Sequence, residues 1–143
     1  MAVVVTLSNH YKYQRDIGNI NASSDVFKII LMNTTFTFDP DAHATLADVT
    51  ANQLATGNGY TQNDKTLANV SVTESDTNNR SEITWDDVTF TATGGDFPAS
   101  GSACIYDDTT SDDTIVGGVD FGADHTVVED QSMQLQDIAV YSS

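Results

Sequence analysis

The side chains that could do chemistry in this chain are mainly carboxylates, and their spacing decides whether they build a site. Residues 74–78 place oxygen-bearing side chains at alternate positions, as a calcium-binding loop does. The position that requires glycine is Asn79 and the position that requires the closing glutamate is Trp85, so the EF-hand pattern fails. The acidic run 107–113 could gather around a cation, although such runs are more often solvated turns. Calcium is therefore the one metal hypothesis that the residues raise, and it rests on composition alone.

Other reaction chemistry has no motif to support it. His10, His43 and His125 lie far apart, and none has a second histidine at i+2 or i+4, so no zinc site is predicted. The chain contains neither a Gly-x-Ser-x-Gly nucleophile elbow nor a Gly-x-x-x-x-Gly-Lys phosphate loop. The single cysteine, Cys104, is followed by Asp107 and not by cations, so a buried apolar role is favoured over a reactive thiol. We predict no catalytic residues, no cofactor and no intrachain disulfide.

The charge balance narrows the choice of partners. Twenty-one acids stand against five basic residues, which gives a formal net charge of −16 on 143 residues. Lys12 and Arg15 precede the first acid, Asp16, and the other three cations are Lys28, Lys65 and Arg80. Nucleic-acid binding draws on clustered cations, so DNA, RNA and anionic membranes are predicted to be repelled by this body. The N-terminal apolar run is too short for a signal peptide or a membrane span.

The pattern of apolar residues favours strands almost everywhere. Val26 to Met32 is a short, dense, β-branched run typical of a buried strand, and Thr35 to Phe38 continues it with period two until Pro40. Residues 41–55 are rich in alanine and leucine and form the only helical candidate, with one or two short turns expected. Residues 57–59, Gly-Asn-Gly, predict a tight turn.

The second half of the chain repeats the strand pattern. Alternating apolar residues mark strands over residues 67–73, 80–92, 103–106, 114–121 and 132–141. In the first of these strands Ala68, Val70 and Val72 share one face. The phase slips at Asp86-Asp87, which predicts a β-bulge or a bend between sheets, and it slips again near Asp137, which predicts another bulge. About seven to nine short strands predict an all-β protein with a β-sandwich, for which a jelly-roll-like order is one arrangement.

The chain length fits one domain, and its first residues admit two interpretations. Residues 25–143 are predicted to form a single β-sandwich domain, whereas residues 1–24 are either an N-terminal arm or an ordinary first strand. As an arm, fifteen extended residues would reach about 50 Å and add a strand to an exposed sheet edge of a neighbouring protein. A chain without residues 1–16 would then still fold but lose its partner. The predicted partner-binding set consists of Val3, Val4, Val5, Leu7, Lys12 and Arg15.

Several segments of this chain resemble one family. They are residues 27–33, 36–49, 53–62, 72–78, 84–95, 105–109 and 119–122. These segments are similar to small proteins encoded among the structural genes of tailed bacteriophages, and the resemblance extends over residues 25–141. Its motifs are strand and turn sequences, so they identify a family and no reaction.

The resemblance implies a non-enzymatic virion component made in the host cytoplasm. Within that class, the expected role is a capsid decoration or cement protein on the outer surface of the head, bound to the major capsid protein. Neighbouring copies would also be partners, and a homotrimer is expected because such proteins commonly cluster at symmetry points. An acidic body suits the outer surface, since packaged DNA would repel it.

The alternative is a tail, baseplate or fibre protein that binds a host-surface glycan. It would need exposed aromatic rings, for which the candidates are Tyr11, Tyr13, Tyr60 and Trp85. Trp85 lies within a strand pattern and is expected in the core, whereas Tyr60 follows the Asn58-Gly59 turn and is expected at the surface.

Overall fold

Strands dominate the secondary structure, and the computed structural model describes residues 1–143. The strands are β1 (Ala2–Val4), β2 (Thr6–Leu7), β3 (Phe27–Asn33), β4 (Ser71–Ser75), β5 (Arg80–Thr84), β6 (Val88–Thr91), β7 (Ser100–Asp107), β8 (Ile115–His125) and β9 (Ser132–Ser142). The helices are α1 (Asn9–Asp16) and α2 (Leu46–Val49), followed by a 3-10 turn at Thr50–Asn52. None of the helices has the length and apolar character needed to cross a membrane.

The strands form two sheets, which confirms the all-β, sandwich-like prediction. In the first sheet the order is β1-β9-β5-β4, with β6 also paired to β9, and in the second it is β2-β8-β7-β3. The first and last strands of the chain lie side by side, because β1 pairs with β9 in parallel. The β7–β8 hairpin and the β3–β7 pair supply the longest antiparallel ladders of the second sheet.

Two apolar clusters hold the layers together. The larger one lies between the sheets and contains Phe27, Ile29 and Leu31 from alternate positions of β3. The intervening residues Ile30 and Met32 belong to a second, smaller cluster on the opposite face of the same sheet. This arrangement explains why β3 is apolar from Ile29 to Met32: both of its faces are covered there.

The predicted bulge near Asp137 is present, whereas the Asp86-Asp87 slip interrupts the ladder between β5 and β6 without an extra residue. Asp137 adopts a positive φ of 49° within β9, and the pairing of β1 with β9 shifts register at the same place. On the other side of β9, both β5 and β6 pair with it, and the residues between them lie at the Asp86-Asp87 phase slip. Leu135 before the slip and Ile138 after it are consequently both fully buried.

Some of the other local predictions are confirmed, and others are wrong. The helical turns predicted within residues 41–55 are confirmed as α2 and the 3-10 turn, and the 57–59 turn is present. The strand predicted at residues 35–38 is wrong, because the Asn33 side chain accepts the Thr35 N–H and turns the chain off the sheet edge. The strand predicted over residues 67–73 begins only at Ser71, and as β4 it is an edge strand with both faces largely open, on which Val72 is 47% exposed.

Candidate partner-binding cleft

The N-terminal segment lies inside the sandwich, as a strand in each sheet. Val3 is fully buried and Val5 is nearly so, whereas Val4 between them is 43% exposed. β1 lies against β9, and β2 then pairs with β8, where Leu7 lies opposite Gly117. The first residues of the chain therefore form strands of its own two sheets and not an arm.

Residues 9–16 correct the prediction of an extended arm, because they form the helix α1. Ser8 caps this helix: its Oγ accepts the Tyr11 N–H at 2.9 Å and donates to the Ile115 carbonyl at 2.5 Å. Gly18, with a positive φ of 83°, follows the helix end. Sequence patterns miss this helix because only Tyr11 and Gln14 are buried, so no apolar stripe marks it. A serine cap and a glycine ten residues later are the available signals.

A cleft of about 520 Å³ opens between the N-terminal segment and the end of β9, and we call it the N-terminal cleft. Four members of the predicted partner-binding set line it, namely Val5, Leu7, Lys12 and Arg15. Val3 and Val4 do not. The next most spacious of the main clefts, beside Val127, is about 280 Å³.

Three structural elements shape the N-terminal cleft. Asn9, Lys12 and Arg15 follow one another at three-residue spacing, which brings them onto one side of α1. The strand residues Val5 to Leu7 and Pro40 form a second wall. The end of β9, residues 141–143, forms the third. Sequence reasoning missed this third wall, since nothing local connects Tyr141 with a helix more than a hundred residues earlier.

The electrostatics of the cleft differ from those of the rest of the surface. None of its ten lining side chains is acidic, although the carboxylates of Asp41 and Asp16 adjoin it, bonded to Asn9 and Arg15. The ion pairs of the molecule involve His10, Arg15, Lys28 and Arg80, so the exposed Lys12 ammonium has no anionic partner. The Nε of Arg15 donates to the Asp16 carboxylate at 3.1 Å, and its guanidinium carbon lies 5.8 Å from the centroid of the Tyr11 ring.

A third cation approaches the cleft through Tyr141. The Arg80 guanidinium carbon lies 3.5 Å from the centroid of the Tyr141 ring, and its Nε donates to Glu82 at 2.9 Å. This stacking holds one face of the ring against the cation. Arg80 therefore holds the Tyr141 ring in place as part of the cleft wall.

The residues considered for metal chemistry are placed apart. No group of three His, Cys, Asp or Glu side chains comes together in a geometry that could hold a metal ion. His10 Nε2 lies 2.8 Å from Asp112, and His43 stacks on Phe36. In the acidic run, Asp108 lies 3.5 Å from the Lys28 ammonium. Each of these side chains thus has a partner within the protein.

Two buried ionisable groups lie outside the cleft. Burial raises the pKa of the Cys104 thiol to about 12, which fits the predicted apolar role and leaves no thiolate at neutral pH. Burial, followed by the neighbouring Asp25 carboxyl, raises the pKa of Asp107 to about 7. Neither group reaches the N-terminal cleft.

The aromatic residues considered for glycan binding are mostly buried. Trp85 lies in the core as expected, at 7% exposure. The surface position predicted for Tyr60 is wrong: the residue is only 2% exposed, and its hydroxyl accepts hydrogen bonds from the Leu31 N–H and Gln53 Nε2. Tyr11 is 1% exposed, so Tyr13, at 58%, is the one candidate ring left at the surface.

No protein-family model, no curated protein and no solved structure matches this chain.

Proposed function

We propose that this chain is a non-enzymatic structural protein of a tailed-phage virion, a decoration protein bound to the outer face of the major capsid protein. The resemblance of residues 25–141 supports the class. The proposal includes stabilisation of the head, assembly into a homotrimer with neighbouring copies, and a jelly-roll-like order of the sandwich.

The observation that carries the proposal is the contrast between the body and the N-terminal cleft. The molecule has a net charge of −16, yet the side chains that line the cleft include Lys12 and Arg15 beside apolar residues and no acidic one. Like charge keeps such a molecule away from packaged DNA. A cationic, partly apolar cleft is a surface at which an acidic protein can still dock.

The lining of the cleft favours a binding module over an enzyme. It offers no histidine or carboxylate that could activate one of its hydroxyl groups, and no metal-ligand cluster. Its side chains supply charge, hydrogen bonds and apolar contact, which are the components of a protein interface.

The test is reconstitution on heads. Particles assembled by a phage deleted for this gene are mixed with the purified protein, sedimented and imaged by cryo-electron microscopy. We expect saturable density on the outer head surface and a higher temperature of DNA release. Absence from the heads, or density confined to the tail, would contradict the proposal, and tail density would favour the glycan-binding alternative.

Oligomeric state is measured in the same preparation. Light scattering coupled to size exclusion should give three times the 15.3 kDa chain mass if the trimer forms before attachment. A monomer in solution together with threefold density on the head would place trimer formation on the capsid, and density without threefold clustering would contradict the trimer.

A further inference from the structure

We propose that the N-terminal cleft receives an extended acidic segment of the partner as an added strand along the open edge of β9. The inference rests on the proposed function for the identity of that partner, the major capsid protein. It reverses the direction of strand addition expected from the sequence: the N-terminal residues complete this chain's own sheets, and the cleft accepts a strand from outside.

The open edge arises where the N-terminal chain changes sheets. β1 runs beside β9 until the Val5 N–H donates to the Ala139 carbonyl at 3.3 Å. The next residue, Thr6, already pairs with Gly118 in the second sheet. β9 continues to Ser142 without a neighbour on that side. The place that a longer β1 would occupy is therefore the N-terminal cleft.

The backbone of Tyr141 faces this vacated place. Strand residues direct their N–H and C=O groups alternately to the two sides. The Ile138 carbonyl accepts the Trp85 N–H on the β5 side, whereas the Ala139 carbonyl accepts Val5 on the β1 side. Tyr141, two residues after Ala139, directs its N–H and C=O to the same side as Ala139. An extended segment at this position meets a donor and an acceptor, as strand addition requires.

The side chains around the edge specify an acidic occupant. Lys12 has no anionic partner, and the terminal nitrogens of Arg15 make no hydrogen bond within the chain. Alternate side chains of an extended segment point in opposite directions, so one row of carboxylates can meet these two cations. Arginine binds carboxylates in bidentate geometry. The half-buried Leu7 provides an apolar contact for the other residues of the added strand.

The size of the site fits a short addition. β9 extends three residues past Ala139, which corresponds to about 10 Å of strand. A cleft of about 520 Å³ lies within the range of about 300–1,000 Å³ typical of ligand sites. The affinity of an added strand of this length depends on its side-chain contacts. Substitution of Lys12 or Arg15 is therefore expected to weaken binding.

The first experiment uses the purified protein and a defined probe. Fluorescence anisotropy follows a labelled ten-residue peptide of alternating Glu and Val, a matched peptide with Lys in place of Glu, and a third with alternate backbone nitrogens methylated. We expect the unmethylated Glu peptide to bind and the Lys peptide not to bind. Backbone methylation should weaken binding at least tenfold. Equal binding of the methylated peptide, or of the Lys peptide, would overturn the proposal.

Matched charge reversals locate the site. Lys12→Glu and Lys65→Glu change the net charge equally, but Lys65 lies at a distance from the cleft, where its ammonium donates to the Thr89 carbonyl at 3.1 Å. Lys12→Glu should weaken peptide binding at least tenfold and Lys65→Glu less than threefold. Equal effects of the two substitutions would overturn the proposal, and thermal unfolding of both variants confirms that they fold.

Heads lacking this protein separate the cleft from the proposed function. Loss of head binding in Lys12→Glu with retention in Lys65→Glu supports both. Unchanged head binding of Lys12→Glu overturns the cleft inference and leaves the decoration role standing. If wild type does not bind heads, the decoration role is overturned and the peptide result alone decides about the cleft. Self-association that Lys12→Glu abolishes would assign the cleft to a second copy and overturn the proposal.

Discussion

Asp107 is the one acidic residue of this chain that is fully buried, and its surroundings explain how the fold tolerates it. Its Oδ1 accepts the Thr109 N–H at 2.9 Å, whereas no donor reaches its Oδ2. The neighbouring side chain that interacts with Asp107 is the Asp25 carboxyl, which is itself an acceptor when ionised. A proton held by Asp107 satisfies both carboxyls, and for this reason burial and Asp25 raise the pKa of Asp107 to about 7.

Replacement of Asp107 by asparagine should change the pH dependence of stability. The folded chain keeps a proton that unfolded Asp107 releases above about pH 4, so the free energy of unfolding falls as the pH rises towards 7. An asparagine side chain cannot ionise, and Asp107→Asn should therefore gain about 2–3 kcal/mol on wild type between pH 5 and pH 8. Urea midpoints at the two pH values measure the difference. The exposed Asp124→Asn serves as control, and parallel pH profiles of wild type and Asp107→Asn would contradict the assignment.

The Tyr60 hydroxyl gives a second prediction at this scale. It accepts two hydrogen bonds inside the core, from the Leu31 N–H and from Gln53 Nε2, both at 3.1 Å. Tyr60→Phe leaves both donors unpaired and should lower the free energy of unfolding by about 1–3 kcal/mol. Tyr13→Phe, at an exposed ring, should change it by less than about 0.5 kcal/mol. Equal denaturant midpoints for the two variants would show that the Tyr60 hydroxyl is exchanged with water.

Among the elements, β9 organises the first sheet because it pairs along both sides. β1 lies on one side, and β5 and β6 lie on the other. The phase slips at Asp86-Asp87 and Asp137 oppose each other, and the Asp87 carboxylate accepts the Asp137 N–H at 3.2 Å. The β5–β6 segment and β9 thus change which residues face the core at the same point. Apolar residues of both therefore stay in the core on either side of the slip.

The strained residue in this pair of slips is Asp137. Its φ of 49° lies in the left-handed region, which β-branched side chains avoid. Asp137→Val should cost about 1–2 kcal/mol, whereas Asp137→Gly should be tolerated. Gln134→Val, at an exposed position of the same strand, controls for the loss of a polar side chain. Chemical denaturation compares the three variants, and equal stability of Asp137→Val and Asp137→Gly would refute the strain argument.

The elements also show which features of this chain can be predicted from sequence. β3 and the β7–β8 hairpin carry dense apolar or alternating runs, and the slips at Asp86-Asp87 and Asp137 interrupt such runs, so local pattern sufficed. α1 has no apolar stripe, and only its cap Ser8 and the later Gly18 mark it. The cleft wall at Tyr141 depends on contact between the two ends of the chain, which no local pattern encodes.

At the scale of the whole molecule, the burial of Val3, Val5 and Tyr11 changes how attachment can be tested. An extended arm predicts that removal of residues 1–16 abolishes attachment and spares the fold. In the folded chain that removal would instead expose core residues from both sheets. Surface substitutions in the cleft, such as Lys12→Glu, replace truncation as the informative experiment.

The net charge of −16 sets a prediction for the intact chain. Excess like charge destabilises a compact state by self-repulsion, and salt screens that repulsion over about 10 Å at 0.1 M. Raising NaCl from about 10 mM to about 500 mM should therefore increase the free energy of unfolding by about 1–2 kcal/mol, or roughly 3–8 °C in Tm.

Calcium and magnesium chlorides at equal ionic strength should act alike, because no three carboxylates gather as a metal site. Differential scanning calorimetry makes the comparison. A gain in Tm specific to millimolar calcium and reversed by a chelator would instead restore the calcium hypothesis for the acidic run 107–113, and a Tm independent of salt would show that the acids are too widely spaced to repel one another.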